Sequence, residues 1–432
     1  MPALEKVASS TMTVTPPSSL EPAARVALLD AARECFAKRG FHGTRLVDVA
    51  SRAGLTTGAF YGHFPSKVDV FHALFDRYVR DLSFSLTSAQ SLPDYCTRWL
   101  AVSEAHSGTI AASEEITRGD PAFRAHRERC RQAWTAAAMV HLPSDVAPKS
   151  RHSMARLAVD ALDHYWLTVL RGWSKVSPEV FGTSLGCLLE SGLYIADFTA
   201  TPAAAERPTL ASTARRSWDW HAAPDRVEPR STRGRAQREA VLDAAADVFA
   251  EDGYKGTKIG DIARRAGVSA ATVYRYFVDK RDVFFCLLGR VGTDVGEVIY
   301  QQDRAGLGPD GHLQVFAAAV RTIEVRRRYA GVYRVWWELA GQGGELELAW
   351  LALRDGLRQP LSAVIAYGRT IGVVNPALDD EAVTEIAVDA FEGACHTRFD
   401  LGWDADASDA DLADTLAALL GTGPRQLATG TQ

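Results

Sequence analysis

The stretch "AGLTTGAFYGHFPSK" at residues 53–67 returns in altered form as "AGVSAATVYRYFVDK" at 266–280. With a constant offset of 213 residues, 25–71 aligns with 238–284 without a gap, and about half of the positions are identical. Self-similarity of this length is typical of an internal duplication. The chain is therefore predicted to fold as two related halves, each repeating the same local design.

The likeness weakens further along but persists, because "AVDALDHYW" at 158–166 resembles "AVDAFEGAC" at 387–395. Residues 200–233 contain four prolines and no helical period, which is typical of a linker. The predicted division is a disordered tail at 1–21, a first copy of the repeated domain at 22–71, a first carboxy-terminal domain at 72–199, the linker at 200–233, a second copy of the repeated domain at 234–284, a second carboxy-terminal domain at 285–421 and a tail at 422–432.

Composition limits the class of protein. Of the 432 residues, 47% are apolar and 23% charged, and no apolar run is long enough for a transmembrane helix. The amino-terminal tail lacks the apolar stretch of a signal peptide, so we expect a cytoplasmic protein that does not enter a membrane. The net charge of −5 does not decide for or against a nucleic-acid partner. Six widely spaced cysteines are predicted to be reduced core residues.

The apolar residues recur every three or four positions and alternating strand patterns are lacking, so the predicted fold class is all-α. In the first copy, Gly40 is predicted to end one helix and Thr44 to cap the next. Thr56 is placed to cap a third helix from Thr57 to about His63, with Phe60 and Phe64 buried. Ser66 with Asp69, and Asp279 with Asp282 in the second copy, resemble capping boxes of a fourth helix.

Two helices joined by a glycine turn predict a helix-turn-helix, whose last helix enters the DNA major groove. Small residues at the start of that helix allow close approach, and tyrosine, histidine and lysine side chains can reach phosphates. The predicted DNA-contacting residues of the first copy are Thr44, Arg45, Thr56, Thr57, Gly58, Tyr61, Gly62, His63 and Lys67. Those of the second copy are Thr257, Lys258, Ser269, Ala270, Ala271, Thr272, Tyr274, Arg275, Tyr276 and Lys280.

The segments "GTRLVDVASRAGLTTGAFYGHFPSKVDVF" and "GTKIGDIARRAGVSAATVYRYFVDKRDVFF" both resemble the DNA-binding domain of TetR-family transcriptional regulators. The resemblance covers about 47 residues in each half. It implies a helical ligand-binding and dimer-forming domain after each copy, a double-stranded DNA operator and release by a small-molecule effector. Family members are usually homodimers of shorter chains, so this chain resembles two subunits fused in tandem.

The two copies differ where bases would be read. Gly62 in the first copy corresponds to Arg275 in the second, and an arginine there can bind guanine or, as the alternative, a phosphate. Gly58 and Gly62 weaken the first helix and depart from the family's pattern. We therefore expect an asymmetric or imperfectly palindromic operator, with repression the usual outcome in the family. The linker favours pairing within one chain, so we expect a monomeric pseudo-dimer, with a homodimer as the alternative.

The effector site is poorly determined by sequence. Aromatic side chains on helical segments suit an apolar pocket, but they suit a helical core equally well. The candidates are Trp99, Trp134, His164, Trp166, Tyr333, Trp336 and Trp337. No cofactor and no metal are expected, and neither GxSxG, HExxH nor a phosphate-binding glycine loop points to an enzyme. A small-molecule binding protein with one functional DNA-binding copy is the alternative.

Overall fold

The computed structural model describes residues 22–193, 229, 231–305, 315–403 and 408–421. Within these ranges the regular structure is helical apart from one isolated bridge residue, Val374. This confirms the all-α prediction. Of the predicted linker, only residues 229 and 231–233 lie within the described ranges, and both predicted tails lie outside them.

Nine helices form the described part of the first half. They are α1 (Ala23–Gly43), α2 (Leu46–Arg52), α3 (Thr57–Tyr61), α4 (Lys67–Thr87), α5 (Leu92–Ala105), α6 (Ser107–Gly119), α7 (Pro121–Met139), α8 (Pro148–Leu170) and α9 (Pro178–Ser191).

The described second half repeats this order with a π-helical segment inserted before its last helix. Its elements are α10 (Thr232–Gly256), α11 (Ile259–Arg265), α12 (Ala270–Tyr276), α13 (Lys280–Ala305), α14 (Val315–Arg328), α15 (Ala330–Ala340), α16 (Glu345–Thr370), α17 (Asp380–Cys395), the π segment (His396–Asp400) and α18 (Asp409–Leu419). In the described residues, no helix is long and apolar enough to cross a membrane.

The chain forms two compact units that do not coincide with its two halves. The first unit comprises residues 1–193, 377–393 and 422–432, and the second comprises 194–376 and 394–421. Most of α17 therefore packs with the first half, although it belongs to the second in sequence.

Short polar side chains begin most helices where the sequence changes from loop to helical period. Ser91 accepts a hydrogen bond from the Asp94 amide at 3.3 Å, and Ser177 accepts one from the Val180 amide at 3.3 Å. Asp120 accepts from the amides of Ala122 and Phe123. Each bond satisfies an amide that has no partner inside its own helix.

In the first unit, α6 lies against α1 at a position where only glycine fits. A Cβ atom on Gly108 would stand 2.1 Å from the Arg33 carbonyl oxygen and 3.0 Å from the Ala37 amide nitrogen. About two turns further on, the Glu115 carboxylate accepts hydrogen bonds from the amides of Phe41 and His42 at 3.0 and 2.8 Å. Steric fit and hydrogen bonds thus fix α6 to the first helix of the DNA-binding domain.

In the second unit, α15 makes the corresponding contact with α10. A Cβ atom on Gly331 would stand 2.1 Å from the Cβ atom of Ala250, the residue that corresponds to Ala37. The Arg334 guanidinium donates a hydrogen bond to the Ala250 carbonyl. In both halves, therefore, a glycine contact joins the predicted DNA-binding domain to the regulatory domain, although the accompanying hydrogen bonds differ.

We expect Gly108→Ala to lower the free energy of unfolding by about 1–3 kcal/mol, because the new methyl group forces α6 away from α1. Gly119→Ala is the matched control, since Gly119 ends the same helix and a Cβ there meets nothing within 4 Å. Urea unfolding followed by circular dichroism measures the difference. Equal stability of the two variants would contradict a tight α1–α6 contact.

Candidate nucleic-acid interface

The helix-turn-helix of each half is built from the same local signals. Gly40 has φ of 68°, where a glycine is favoured, and interrupts the end of α1 as predicted. Thr56 caps α3 by accepting a hydrogen bond from the Ala59 amide at 3.1 Å, which confirms the predicted cap. Ser269 accepts the equivalent bond from the Thr272 amide at 3.1 Å in the second copy.

The recognition helices, α3 and α12, bury one side and expose the other. Phe60 and Phe64 are buried as predicted, and Val273 and Phe277 occupy the same places in the second copy. Tyr61 is 55% exposed. Its counterpart Tyr274 is 57% exposed, although tyrosine usually lies at least half-buried in a helical core. Exposed aromatic side chains on the same face of both short helices mark that face as a binding surface.

The two recognition helices differ in length and in charge. α3 has five residues and ends at Tyr61, short of the predicted His63, whereas α12 has seven. Gly58 within α3 and Gly62 directly after it account for the shorter helix, since glycine disfavours helix by about 1 kcal/mol relative to alanine. The first recognition helix is therefore less regular than the second.

Arg275 is exposed and held in place on α12. Its guanidinium donates to the Gln237 side-chain oxygen at 3.0 Å and lies over the Tyr276 ring. The Tyr276 hydroxyl donates to the same Gln237 oxygen at 3.0 Å. A guanidinium steadied in this way loses less side-chain entropy when it binds a base or a phosphate.

The prediction that Lys67 and Lys280 reach phosphates is not supported by their positions. The Lys67 ammonium donates to the Phe41 and Thr44 carbonyls at 2.6 and 2.8 Å, and the Lys280 ammonium donates to the Tyr254 and Thr257 carbonyls at 2.6 and 2.9 Å. Carbonyls near a helix end have no partner within the helix and attract cations. Burial lowers the pKa of both lysines. These lysines tie the fourth helix to the end of the first.

The predicted cap at Thr44 is wrong. Arg45 precedes α2, and the Thr44 hydroxyl instead donates to the Gly40 carbonyl at 2.7 Å. Thr257 makes the same bond to the Gly253 carbonyl at 2.7 Å. Both threonines are buried, because the chain turns back toward the core after the glycine. Their hydroxyls therefore close the turn, and DNA contact by these two residues stays a prediction.

The other predicted DNA-contacting residues lie in or beside the two short helices, and nearly all are accessible. The exposed ones are Arg45, Thr56, Thr57, Gly58 and Gly62 in the first copy and Lys258, Ser269, Ala270 and Ala271 in the second. His63 and Thr272 are half-buried. Arg45 pairs with Asp48 at 3.1 Å on the surface, an arrangement that water screens strongly.

Two of the predicted effector residues, Trp99 and Trp134, meet in the core of the first unit. Their rings cross edge to face at 5.0 Å, and the Tyr95 hydroxyl donates to the Trp134 carbonyl. Around them, five buried polar atoms have no well-formed hydrogen bond within the described residues. These are Tyr78 Oη, Trp99 Nε1, Ser103 Oγ, His106 Nδ1 and Thr109 Oγ1, of which the Tyr78 and Ser103 hydroxyls lie near each other. Such atoms cost about 1–3 kcal/mol each unless a bound molecule satisfies them.

Tyr333, Trp336 and Trp337 lie together in the second unit around Trp350, whose ring is 5.1 Å from that of Trp336 and 5.4 Å from that of Trp337. The buried Arg326 guanidinium lies over the Tyr333 ring and pairs with Asp400 at 2.7 Å. His164 and Trp166 are buried on α8.

Sequence reasoning missed the residues at the junction of the fifth and sixth helices. His106 Nε2 lies 2.9 Å from an Asp81 oxygen on α4, and burial lowers the pKa of His106. In the second half, the Tyr329 hydroxyl donates to Asp294 on α13 at 3.0 Å. Asp81 and Asp294 are 213 residues apart and so occupy equivalent positions of the repeat, a sequence signal that could have identified them.

Comparison with known proteins places the same family model, "Bacterial regulatory proteins, tetR family", at residues 28–74 and again at 241–286. The fatty acid metabolism regulator protein of Bacillus subtilis is 28% identical over 130 residues, which are 27% of this chain and 63% of that protein. The transcriptional regulator AcrR of Shigella flexneri is 35% identical over 71 residues, which are 16% of this chain and 33% of that protein. The chain thus spans less than two thirds of the length of either relative.

Among solved structures, the fatty acid degradation regulator FadR from Bacillus halodurans has 23% identity and a TM-score of 0.35. The match covers 42% of this chain and 97% of that one. At this score the likeness supports no inference about ligand or mechanism.

The exposed recognition helices and the capped turns before them define a helix-turn-helix protein with two reading domains. Both domains match one family model, and curated relatives of that family match the chain in sequence. The chain belongs to the TetR family of transcriptional regulators and carries the family's DNA-binding domain twice in tandem.

We expect Lys67→Gln to lower the free energy of unfolding by about 1 kcal/mol or more, because two charge-assisted hydrogen bonds are lost. The slope of DNA affinity against salt concentration should stay unchanged, since this ammonium faces carbonyls. Arg45→Gln is the control and should reduce the slope by about one phosphate contact without loss of stability. Fluorescence anisotropy across a salt series tests both; a reduced slope for Lys67→Gln would restore the phosphate assignment.

Proposed function

We propose that this chain is a transcriptional repressor whose two unlike recognition helices read the two unlike half-sites of one operator. The proposal is carried by two exposed tyrosines, one on each recognition helix, that are followed by different residues. Gly62 follows Tyr61, while Arg275 follows Tyr274. A homodimer presents identical surfaces and selects a palindrome. Two different surfaces in one chain select an operator whose halves differ.

We infer that the two halves pair within the chain. Helix α17 of the second half packs in the first unit, where His164 on α8 lies 2.9 Å from Asp389. In the internal alignment Asp160 corresponds to Asp389 and His164 to Gly393. A Cβ atom on Gly393 would stand 2.3 Å from the Asp160 carbonyl oxygen. His164 therefore meets Asp389, and their counterparts Gly393 and Asp160 meet each other. A two-fold axis relating the halves produces this exchange of contacts.

The same contact disfavours pairing between two first halves. In that pairing a histidine would replace Gly393, and its Cβ atom would collide with the backbone carbonyl at Asp160. A linker of 34 residues holds the two halves at an effective concentration near the millimolar range. Pairing in one chain therefore has both a steric and a concentration advantage over association between chains.

The effector is proposed to enter the first regulatory domain beside Trp99 and Trp134. The buried atoms without well-formed hydrogen bonds at Ser103, His106 and Thr109 would hydrogen-bond a polar group, and the aromatic rings would cover an apolar part. Since the B. subtilis relative is named for fatty acid metabolism, acyl compounds are a reasonable first screen. The second aromatic cluster, with its buried Arg326, is a candidate for an anionic ligand.

The position of this cluster supplies a route to the DNA. Ser103, His106 and Thr109 surround the α5–α6 junction, and Gly108 at that junction contacts α1. His106 also contacts Asp81 on α4, the helix that leads out of the DNA-binding domain. A ligand that favours another junction geometry would shift the reading domain, and a few kcal/mol of preference would suffice for release.

We expect binding-site selection to return an operator with unlike half-sites and one chain bound per operator. Arg275→Gly should weaken binding by about 1–3 kcal/mol if the guanidinium contacts a base pair. Replacing Thr57, Gly58, Gly62 and His63 with their second-copy counterparts should shift the preferred site toward a palindrome. A Cβ atom on Gly62 stands 3.3 Å from the Ala59 carbonyl, so a side chain fits with a small adjustment.

A perfect palindrome selected by the unaltered chain would overturn the proposal of unlike half-sites. Tyr61→Ala and Tyr274→Ala, compared at equal stability, distinguish the alternative in which only one copy reads DNA. In that alternative Tyr274→Ala abolishes specific binding, whereas Tyr61→Ala leaves it unchanged.

We expect the pair of substitutions Ser103→Ala and Thr109→Val to raise the unfolding midpoint, because two buried hydroxyls without well-formed hydrogen bonds are removed. The same variant should lose effector-induced release from DNA while retaining DNA binding. Thermal unfolding and anisotropy, with and without an effector found by screening, give both readouts. Thr87→Val, at an exposed hydroxyl that bonds the Phe84 carbonyl, serves as control. A stable variant with an unaltered effector response would place the ligand elsewhere.

A further inference from the structure

We propose that His164, Asp389 and Glu392 bind one divalent transition-metal ion inside the first compact unit. His164 lies on α8, and the two carboxylates lie one turn apart on α17. One ligand atom from each of the three side chains can be chosen so that all lie within 4.8 Å of one another. All three residues are buried, and Asp389 is fully so.

The side chains are close enough to share a single ion, to which His164 would give only one of its two ring nitrogens. His164 Nδ1 is 2.9 Å from an Asp389 oxygen, and His164 Nε2 is 3.7 Å from a Glu392 oxygen. With metal–ligand bonds of about 2.1 Å, ligands at right angles stand about 3.0 Å apart and opposite ligands about 4.2 Å apart. The Nε2–Glu392 separation is too long for a hydrogen bond. The three ligand atoms lie within 4.8 Å of one another, so an ion bound by all of them draws the side chains closer together.

The chemistry of the donors selects the ion. Imidazole nitrogen favours first-row metals such as Zn²⁺, Fe²⁺ and Ni²⁺, while carboxylates also accept Mn²⁺. Two carboxylates balance the charge of a divalent cation. A ring nitrogen that does not bind the ion can keep its hydrogen bond to a carboxylate, which orients the imidazole.

The backbone around the cluster brings the donors together. Gly393 follows Glu392, and a Cβ atom there would stand 3.0 Å from the His164 Cβ atom. Because position 393 is glycine, α17 can cross α8 closely enough for its carboxylates to face the imidazole. A metal at this crossing would join a helix of the first half to a helix of the second. It would therefore stabilise the pairing of halves without contact with DNA.

The test is metal content and stability of the full chain without DNA. The chain is freed of metal with chelator, incubated separately with Zn²⁺, Mn²⁺ and Co²⁺, and passed through a desalting column. We expect about one ion per chain by elemental analysis, a higher unfolding midpoint in its presence and, for Co²⁺, visible absorption bands from nitrogen and oxygen ligands.

Matched variants locate the site. Glu392→Gln and His164→Ala should weaken metal affinity at least tenfold and remove the stabilisation, whereas Glu381→Gln and His152→Ala should not. The controls lie on the same two helices at exposed positions. A folded chain that retains no ion, or equal retention by Glu392→Gln and Glu381→Gln, overturns the proposal. Neither result depends on whether the chain binds an operator.

Discussion

The close contact between the first helix of each DNA-binding domain and the start of a regulatory helix is the constraint on which the rest depends. Gly108 meets the backbone of α1, and Gly331 meets Ala250 on α10. A DNA-binding domain of one long and two short helices has little core of its own, so its position is set by the helix that lies against it. The effector cluster and the junction hydrogen bonds to Asp81 and Asp294 have their proposed effect through this contact.

The features that depend on residues close together in the sequence could be predicted from the sequence. The all-α class, the caps at Thr56 and Ser66 and the buried Phe60 and Phe64 follow from local spacing, and they are present. The predicted cap at Thr44 was wrong, and the Lys67 ammonium binds backbone carbonyls, for the same physical reason. Whether these side chains bind the protein's own carbonyls depends on the turn of the chain after Gly40. That turn places the Phe41 carbonyl and ring beside the Lys67 ammonium.

Contacts between distant segments were beyond sequence reasoning. His164 and Asp389 are separated by 225 residues, so no ligand spacing relates them, and the sequence analysis expected no metal. The contacts among the aromatic candidates could not be predicted for a related reason. Helical periodicity identifies which tryptophans are buried, but not which of them are in contact, as the rings of Trp99 and Trp134 are.

Duplication has kept the geometry of the junction while changing its chemistry. The group facing the aspartate on the fourth helix is an imidazole in the first half and a phenol in the second. Burial lowers the pKa of His106 and raises that of Tyr329. Because burial disfavours the charged imidazole, protonation of His106 needs a more acidic pH than that of a free histidine, whereas the Tyr329 phenol keeps its proton throughout that range. One polypeptide thus carries a titratable imidazole at one junction and a phenol at the equivalent place in the other.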